Sequence, residues 1–359
     1  MLTNPTLLTD FPRNLPEFDR RFGTEEACRN YLISVRWPTG WTCPRCSTAS
    51  EPWRPKNRDL LVCSSCEYQC SLKVGTAFEK SKRPLTDWFK AIYFITEHSK
   101  QGVSALGLMK FMGFGKIATA WTWLHKLRAY MSFEVDPPLQ GEVEVDEAFF
   151  GGYLEGGKPG LGSENKIKVA FAVEKRRTGC GRVRAKVISD RLGPSLRNFV
   201  KETVAVGTQV STDWNRGYFL LAQEGFTIDA RKCNRNGVAI RGKQDQMITN
   251  LHLPLVNRVT SLMKRIIYTT HQGSFSAKHL QRQLDEFCFR FDRRDAKVGK
   301  PVVPMRRFQE LFHRLVEGPC EPYWKIIGRQ SPTIPIKPTP VERPWEALKV
   351  ALDAHAGVP

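Results

Sequence analysis

No apolar run approaches the roughly 20 residues that a helical membrane span requires, so no span is expected. The opening residues, MLTNPTLLTDFPRNLP, lack the charged start and apolar stretch of a secretory signal, and the chain reads as cytosolic. No internal repeat is visible, so a repeat array is not expected. Acidic residues are scarce: 36 Asp and Glu stand against 55 Lys and Arg, a net charge of +19. A protein this basic attracts polyanions at a distance, and phosphates are the natural partner. An anionic membrane surface would be the competitor, but no membrane partner is read. What is plentiful is core material. Hydrophobic residues make up 41% of the 359, which argues against wholesale disorder and for two or three domains.

Ten cysteines are present, and four of them are regularly spaced. Cys43 and Cys46 form one C-x2-C pair, Cys63 and Cys66 a second, with 16 residues between the pairs. That spacing is a zinc-site pattern, each pair supplying two thiolates from one turn to a tetrahedral Zn²⁺. A disulfide pair or unrelated core thiols are the competing readings. With four Cys and no open position, the site is structural, and metal binding supplies folding free energy to a small ribbon. Cys70 breaks the spacing and is left out. The remaining cysteines read as ordinary thiols.

The chain divides by composition into a helical segment (1–36), the ribbon (37–75), a helical region (80–135), an α/β domain (140–300) and an extension (301–359) that is Pro-rich between 319 and 344. Thr24 is a candidate N-cap for a helix in TEEACRNYLISVRW. Residues 84–132 read as three helices, the last two around GFG at 113–115, which suggests a helix-turn-helix or a plain helical hairpin. After the breaker-rich DPPLQG come EVEVDEAFF, KIKVAFAVEK and GRVRAKVISD as strands. The helix GPSLRNFVKETV, the strand GTQVSTD, the helix WNRGYFLLAQEG, the strand FTIDARKC and a helix over 253–268 follow. A further helix is read over 305–318. Hairpins first and alternating units later imply a mixed α/β sheet.

Within GEVEVDEAFFGGY the strand alternation is interrupted by Asp146 and Glu147. Asp213 ends the fourth strand. If the first and fourth strands are neighbours, Asp146 and Asp213 face one cleft, and hard oxygen ligands there suit Mg²⁺. Two such ions support phosphodiester chemistry without a side-chain nucleophile. On the helix over 253–268, Asn257 and Lys264 are seven residues apart, so they share one flank about 20° apart. Asn257 is a candidate metal ligand and Lys264 a phosphate contact; a plain polar flank is the alternative. Glu147 reads as a solvated strand edge, or at most a supporting group.

The ordered set RWPTGWTCPRC, CSSC, SLKVGTAFEKSKRPLTDWFKAIYF, EVDEAFFGG, STDWNRGY, VNRVTSLMK and KHLQRQLDEFCFRFDRR resembles the DDE-type transposases of small bacterial insertion sequences, in the group with an N-terminal zinc ribbon and an ISXO-like catalytic domain. The resemblance covers about residues 20–294. It implies a ribonuclease H-like catalytic domain with Asp146, Asp213 and Asn257 as ligands of Mg²⁺ or Mn²⁺, and Lys264 as the family's lysine. It further implies DNA partners (terminal inverted repeats and a target duplex), a homodimer or larger assembly, and the bacterial cytosol or nucleoid. Two positions depart from the commoner pattern: Asn257 stands where many members carry Glu, and Pro254 where many carry Asn. Residues 231–299 hold 14 Lys or Arg against 5 Asp or Glu. In that stretch Arg231, Lys232, Arg235, Arg241, Lys243 and Arg265 are candidate DNA-backbone contacts. A DNA-binding regulator with an inactive catalytic domain, or a nuclease on the same fold, are the rival functions.

Overall fold

Local signals at the N-terminus specify two short helices. Asn14 accepts the Glu17 amide and caps α1 (Leu15–Phe22), and Thr24 accepts the Ala27 amide and caps α2 (Glu25–Arg36), as expected of it. The structure, a computed structural model, describes residues 7–56, 58–97, 102–151, 166–177, 179–231, 252–271, 277–294 and 304–327. Strands β1 (Leu60–Val62) and β2 (Gln69–Ser71) form the ribbon's antiparallel hairpin. Helices α3 (Leu85–Glu97), α4 (Ala105–Met112) and α5 (Ile117–Ala129) follow. Gly113 ends α4 at φ 65°, a left-handed position that costs glycine nothing. Phe114 is buried just beyond it, and the first turn of α5, from Lys116 to Ala118, is exposed. The three helices expected over this stretch are present, with Trp88 of α3 stacked on Trp123 of α5 at 4.2 Å.

The second half is a five-stranded mixed sheet, as expected, in the order β5-β4-β3-β6-β7. Its strands are β3 (Glu142–Phe150), β4 (Ile167–Arg176), β5 (Gly179–Ile188), β6 (Gln209–Asp213) and β7 (Thr227–Arg231). The first three are antiparallel; β6 and β7 join β3 in parallel. The unbroken apolar run Val169–Val173 of β4 is buried on both faces. Val169, Phe171 and Val173 meet α7 (Pro254–Thr270) and α8 (Ala277–Asp292). Ala170 and Ala172 meet α6 (Gly193–Thr203) and the 3₁₀ segment Arg216–Glu224. That segment is expected to be an α-helix. Its tighter winding accompanies a close backbone approach, where a Cβ on Gly217 would lie 3.1 Å from the Gly193 Cα.

Helix α8 lies beyond the elements expected from sequence. It crosses between the two halves carrying buried charge. Glu286 receives Arg128 of α5 at 2.7 Å and Arg290 at 3.1 Å, and Asp292 receives Arg184 of β5 at 2.7 Å. Arg293, just past its end, bridges Asp136 and Glu310. Helix α9 (Arg306–Glu317) then returns to the N-terminal half. Its Phe308 and Phe312 pack among Phe18, Phe22, Tyr31 and Phe89, closing one aromatic core. From Pro322 the chain forms a separate unit, of which the short helix α10 (Tyr323–Ile326) is described.

Two outcomes follow for stability. Phe312→Ala should lower the unfolding free energy by about 3–5 kcal/mol in urea titrations, because Phe312 is fully buried. The Asp285 carboxyl, buried on α8 beside Gln281, is pushed up to about 7, chiefly by burial. Because the folded value lies above the unfolded one, its contribution to stability falls as pH rises from about 4 to about 7. Asp285→Asn should therefore raise the melting temperature more at about pH 8 than at about pH 5.

Candidate metal centre

Two knuckles of equal geometry build the cysteine cluster. The Cys43 amide donates to the Thr48 carbonyl and the Ser47 amide to the Cys43 carbonyl. The Cys63 amide donates to the Tyr68 carbonyl and the Glu67 amide to the Cys63 carbonyl in the same way. Ser47 (φ 58°) and Glu67 (φ 56°) turn left-handed at matching positions. The Cys43 and Cys66 sulfurs lie 3.7 Å apart and those of Cys46 and Cys63 3.6 Å apart. Sulfurs at the corners of a tetrahedron with Zn–S bonds of about 2.3 Å sit about 3.8 Å apart, so the four fit Zn²⁺. They are too far apart to be disulfide-bonded. Cys70 is buried outside this group of four, its thiol pushed up by burial and donating to the Ser71 carbonyl.

Sheet register builds the acidic cluster. Strand β3 pairs with β6 as Glu142 with Gln209, Val143 with Val210 and Glu144 with Ser211. Continuing that parallel register by two residues sets Asp146 beside Asp213 on the same face. Asp146, Glu147 and Asp213 each offer an oxygen within 4.8 Å of the others, a donor set suited to a hard divalent cation. The Asp146 carboxyl is pushed up to about 7, first by burial and then by the Glu147 and Asp213 charges. Its Oδ1 accepts the Glu147 amide at 2.8 Å, and Asp213 accepts the Asn215 amide at 3.1 Å.

Glu147 is the correction here. It is no solvated strand edge: its side chain is 1% exposed, held by Arg191 at 2.6 Å and by the Tyr218 hydroxyl. It points to the α6 face of the sheet, where Tyr218 is buried. Neither partner is legible in the sequence. Nothing in local spacing joins residues 44 and 71 positions away from Glu147 to it.

Helix α7 lies over the Asp146 face. Glu144, two residues before Asp146, accepts the Leu255 and Val256 amides at 2.7 and 2.9 Å, capping the helix from across the sheet. Burial pushes the Glu144 carboxyl up, against those hydrogen bonds. Pro254 occupies the first turn, where an amide hydrogen is not needed. His252 Nε2 lies 2.7 Å from the Thr212 carbonyl and ties the helix start to the residue before Asp213. Asn257 follows Val256 directly and is exposed, and Lys264 is half-buried two turns on. Arg265 is exposed on the same helix; Arg231, at the end of β7, is exposed and paired with Asp229 at 2.8 Å. Lys232, Arg235, Arg241 and Lys243 lie outside the described residues.

Comparison with known proteins gives two domain matches in chain order. Residues 23–69 match the transposase zinc-ribbon domain, and residues 138–292 match the ISXO2-like transposase domain. An uncharacterized protein in transposable element ISH50 of Halobacterium salinarum is 27% identical over 142 residues, 38% of this chain. The match spans about half of that relative's length, 46%.

Cys43→Ser should abolish stoichiometric zinc binding, read by metal analysis of the purified protein, and lower the ribbon's resistance to proteolysis.

Proposed function

The chain belongs to the insertion-sequence transposases that pair a zinc ribbon with an ISXO2-like domain, and from that membership we propose that it cuts and joins the DNA ends of its own element. The observation that carries the reading is the register that sets Asp146 beside Asp213 under the capped start of α7. Asp146, Asp213 and Asn257 would hold a pair of Mg²⁺ or Mn²⁺ ions, which supply activation of the attacking oxygen and stabilisation of the leaving one. Water attacks the phosphorus at the element end; the new P–O bond forms as the bond to O3′ breaks, and the leaving oxygen takes a proton. The freed 3′-OH then attacks a target phosphodiester, again exchanging one P–O bond for another. Lys264 on α7 holds a phosphate beside the cleft as a point charge.

Recognition of the ends falls to the ribbon and to the exposed first turn of α5, while the basic segment that begins at Arg231 tracks the backbone, as does Arg265. Joining two ends requires more than one copy of the chain on the DNA. A bacterial cytosolic or nucleoid setting accords with a DNA substrate, and among the described residues no helix is long and apolar enough to cross a membrane.

The test is purified protein with a duplex carrying the element's terminal repeats, Mg²⁺ and a target plasmid. Cutting followed by joining is expected. Cutting alone would make the protein a nuclease, and binding alone a regulator. Asp146→Ala and Asp213→Ala should each reduce cutting and joining below detection while end binding in gel shifts persists. Joining at the wild-type rate by either variant would remove these residues from the chemistry.

A further inference from the structure

Beside the acidic pair sits a cation that the two-carboxylate scheme does not use. Arg191 lies in the loop between β5 and α6, a loop fixed by Asp190, whose Oδ1 accepts the Leu192 amide at 2.9 Å. Its Nε and Nη2 both reach Oε2 of Glu147 at 2.6 Å. The other oxygen of Glu147 accepts the Tyr218 hydroxyl, so the carboxylate is engaged at both oxygens. The Arg191 guanidinium also lies over the Phe149 ring, 5.7 Å from its centroid. With one edge of the fork anchored, the Nη1 side has no partner among the described residues, and the side chain keeps 27% exposure. Neither Asp146 nor Asp213 is ion-paired among the described residues. The cation therefore stands at the edge of the cleft without occupying the carboxylates that face it. Burial opposes its charge, but Glu147, Asp213 and Asp146 hold it firmly protonated.

A planar fork fixed along one edge and open along the other is suited to a phosphate oxygen. We propose that Arg191 contacts a non-bridging oxygen of the scissile phosphate, and that Glu147 and Tyr218 are the positioning residues that aim it. The proposal rests on the transposase reading above. Glu147 is then an anchor for a cation instead of a third carboxylate ligand, although its oxygen is near enough to Asp146 and Asp213 to serve as one. Lysine cannot substitute, because a single ammonium cannot both grip Glu147 along an edge and present donors to the DNA.

The experiment uses the full chain, Mg²⁺ and end duplexes whose scissile phosphate is either native or a single methylphosphonate stereoisomer. Single-turnover cutting by Arg191→Gln should fall about 100-fold, the loss expected for one donor to developing charge, with end affinity nearly unchanged. Arg191→Lys should not restore it. Replacing the contacted oxygen by methyl should slow the wild type but add no further loss in Arg191→Gln. Glu147→Gln should slow cutting without raising the Mg²⁺ concentration needed for half-maximal rate, and the double variant should be no worse than Arg191→Gln. Wild-type cutting by Arg191→Gln would overturn the proposal, as would a Glu147→Gln defect recovered by added Mg²⁺, which would make Glu147 a ligand. The methylphosphonate arm leaves the protein unaltered, so a variant that folds poorly does not decide the outcome; equal sensitivity of both stereoisomers in wild type and Arg191→Lys would also overturn it. If the wild type cuts neither duplex, the transposase reading itself fails, which is a separate result.

Discussion

Two strands far apart in the sequence pair in parallel, and the acidic cleft depends on the register they keep. Parallel neighbours in register present the same face at the same height. Asp146 and Asp213 therefore meet because Val143 lies opposite Val210, and both valines are fully buried. A slip of one residue would carry a carboxylate to the α6 face and the valines to the α7 face, breaking the packing on both sides of the sheet. The apolar alternation that fixes the sheet thus also sets the spacing of the charges. Glu144 extends the same logic to the helix above: one carboxylate, buried on the same face, takes two amides at the start of α7 and fixes that end of the helix against the sheet.

The junction between the halves is built differently. It is held by ions removed from water: Arg128 with Glu286, Arg184 with Asp292, and Arg293 with Asp136 and Glu310. Buried pairs add little net stability over apolar packing, but breaking one partner is costly, since a bare charge is left inside. Such contacts suit an interface that must be geometrically specific. They fix α8 against α5 on one side and β5 on the other, so the helical region cannot rotate freely relative to the sheet.

How much of this was legible in the sequence follows from the range of the forces involved. The cysteine knuckles, the Thr24 cap and the strands rest on short-range spacing or on period-two burial and are readable; the pairing of β3 with β6 joins residues far apart in the chain, and the sequence offers it only as a condition. Helix α8 was not anticipated, because its inward face carries Gln283, Asp285, Glu286 and Arg290, which by composition belong outside. Their burial is made possible by Arg128 and by Gln281, and partners across the chain leave no local trace. The setting of Glu147 is hidden from the sequence for a related reason. Alternation gives it the opposite side of β3 from Asp146, but says nothing of the arginine and the tyrosine that hold its carboxylate within 4.8 Å of Asp146 and Asp213. The placement of Asn257 and Lys264 on one helix was legible from the seven-residue step, as was the helix itself.

The return of α9 to the N-terminal half has an order-of-synthesis consequence. Phe308 and Phe312 complete an aromatic cluster whose other members, Phe18, Phe22, Tyr31 and Phe89 among them, leave the ribosome more than two hundred residues earlier. Until α9 emerges, that cluster stays open and the first modules made are the last to close. All five strands of the sheet, the last ending at Arg231, are synthesised before the helix that closes the half preceding them.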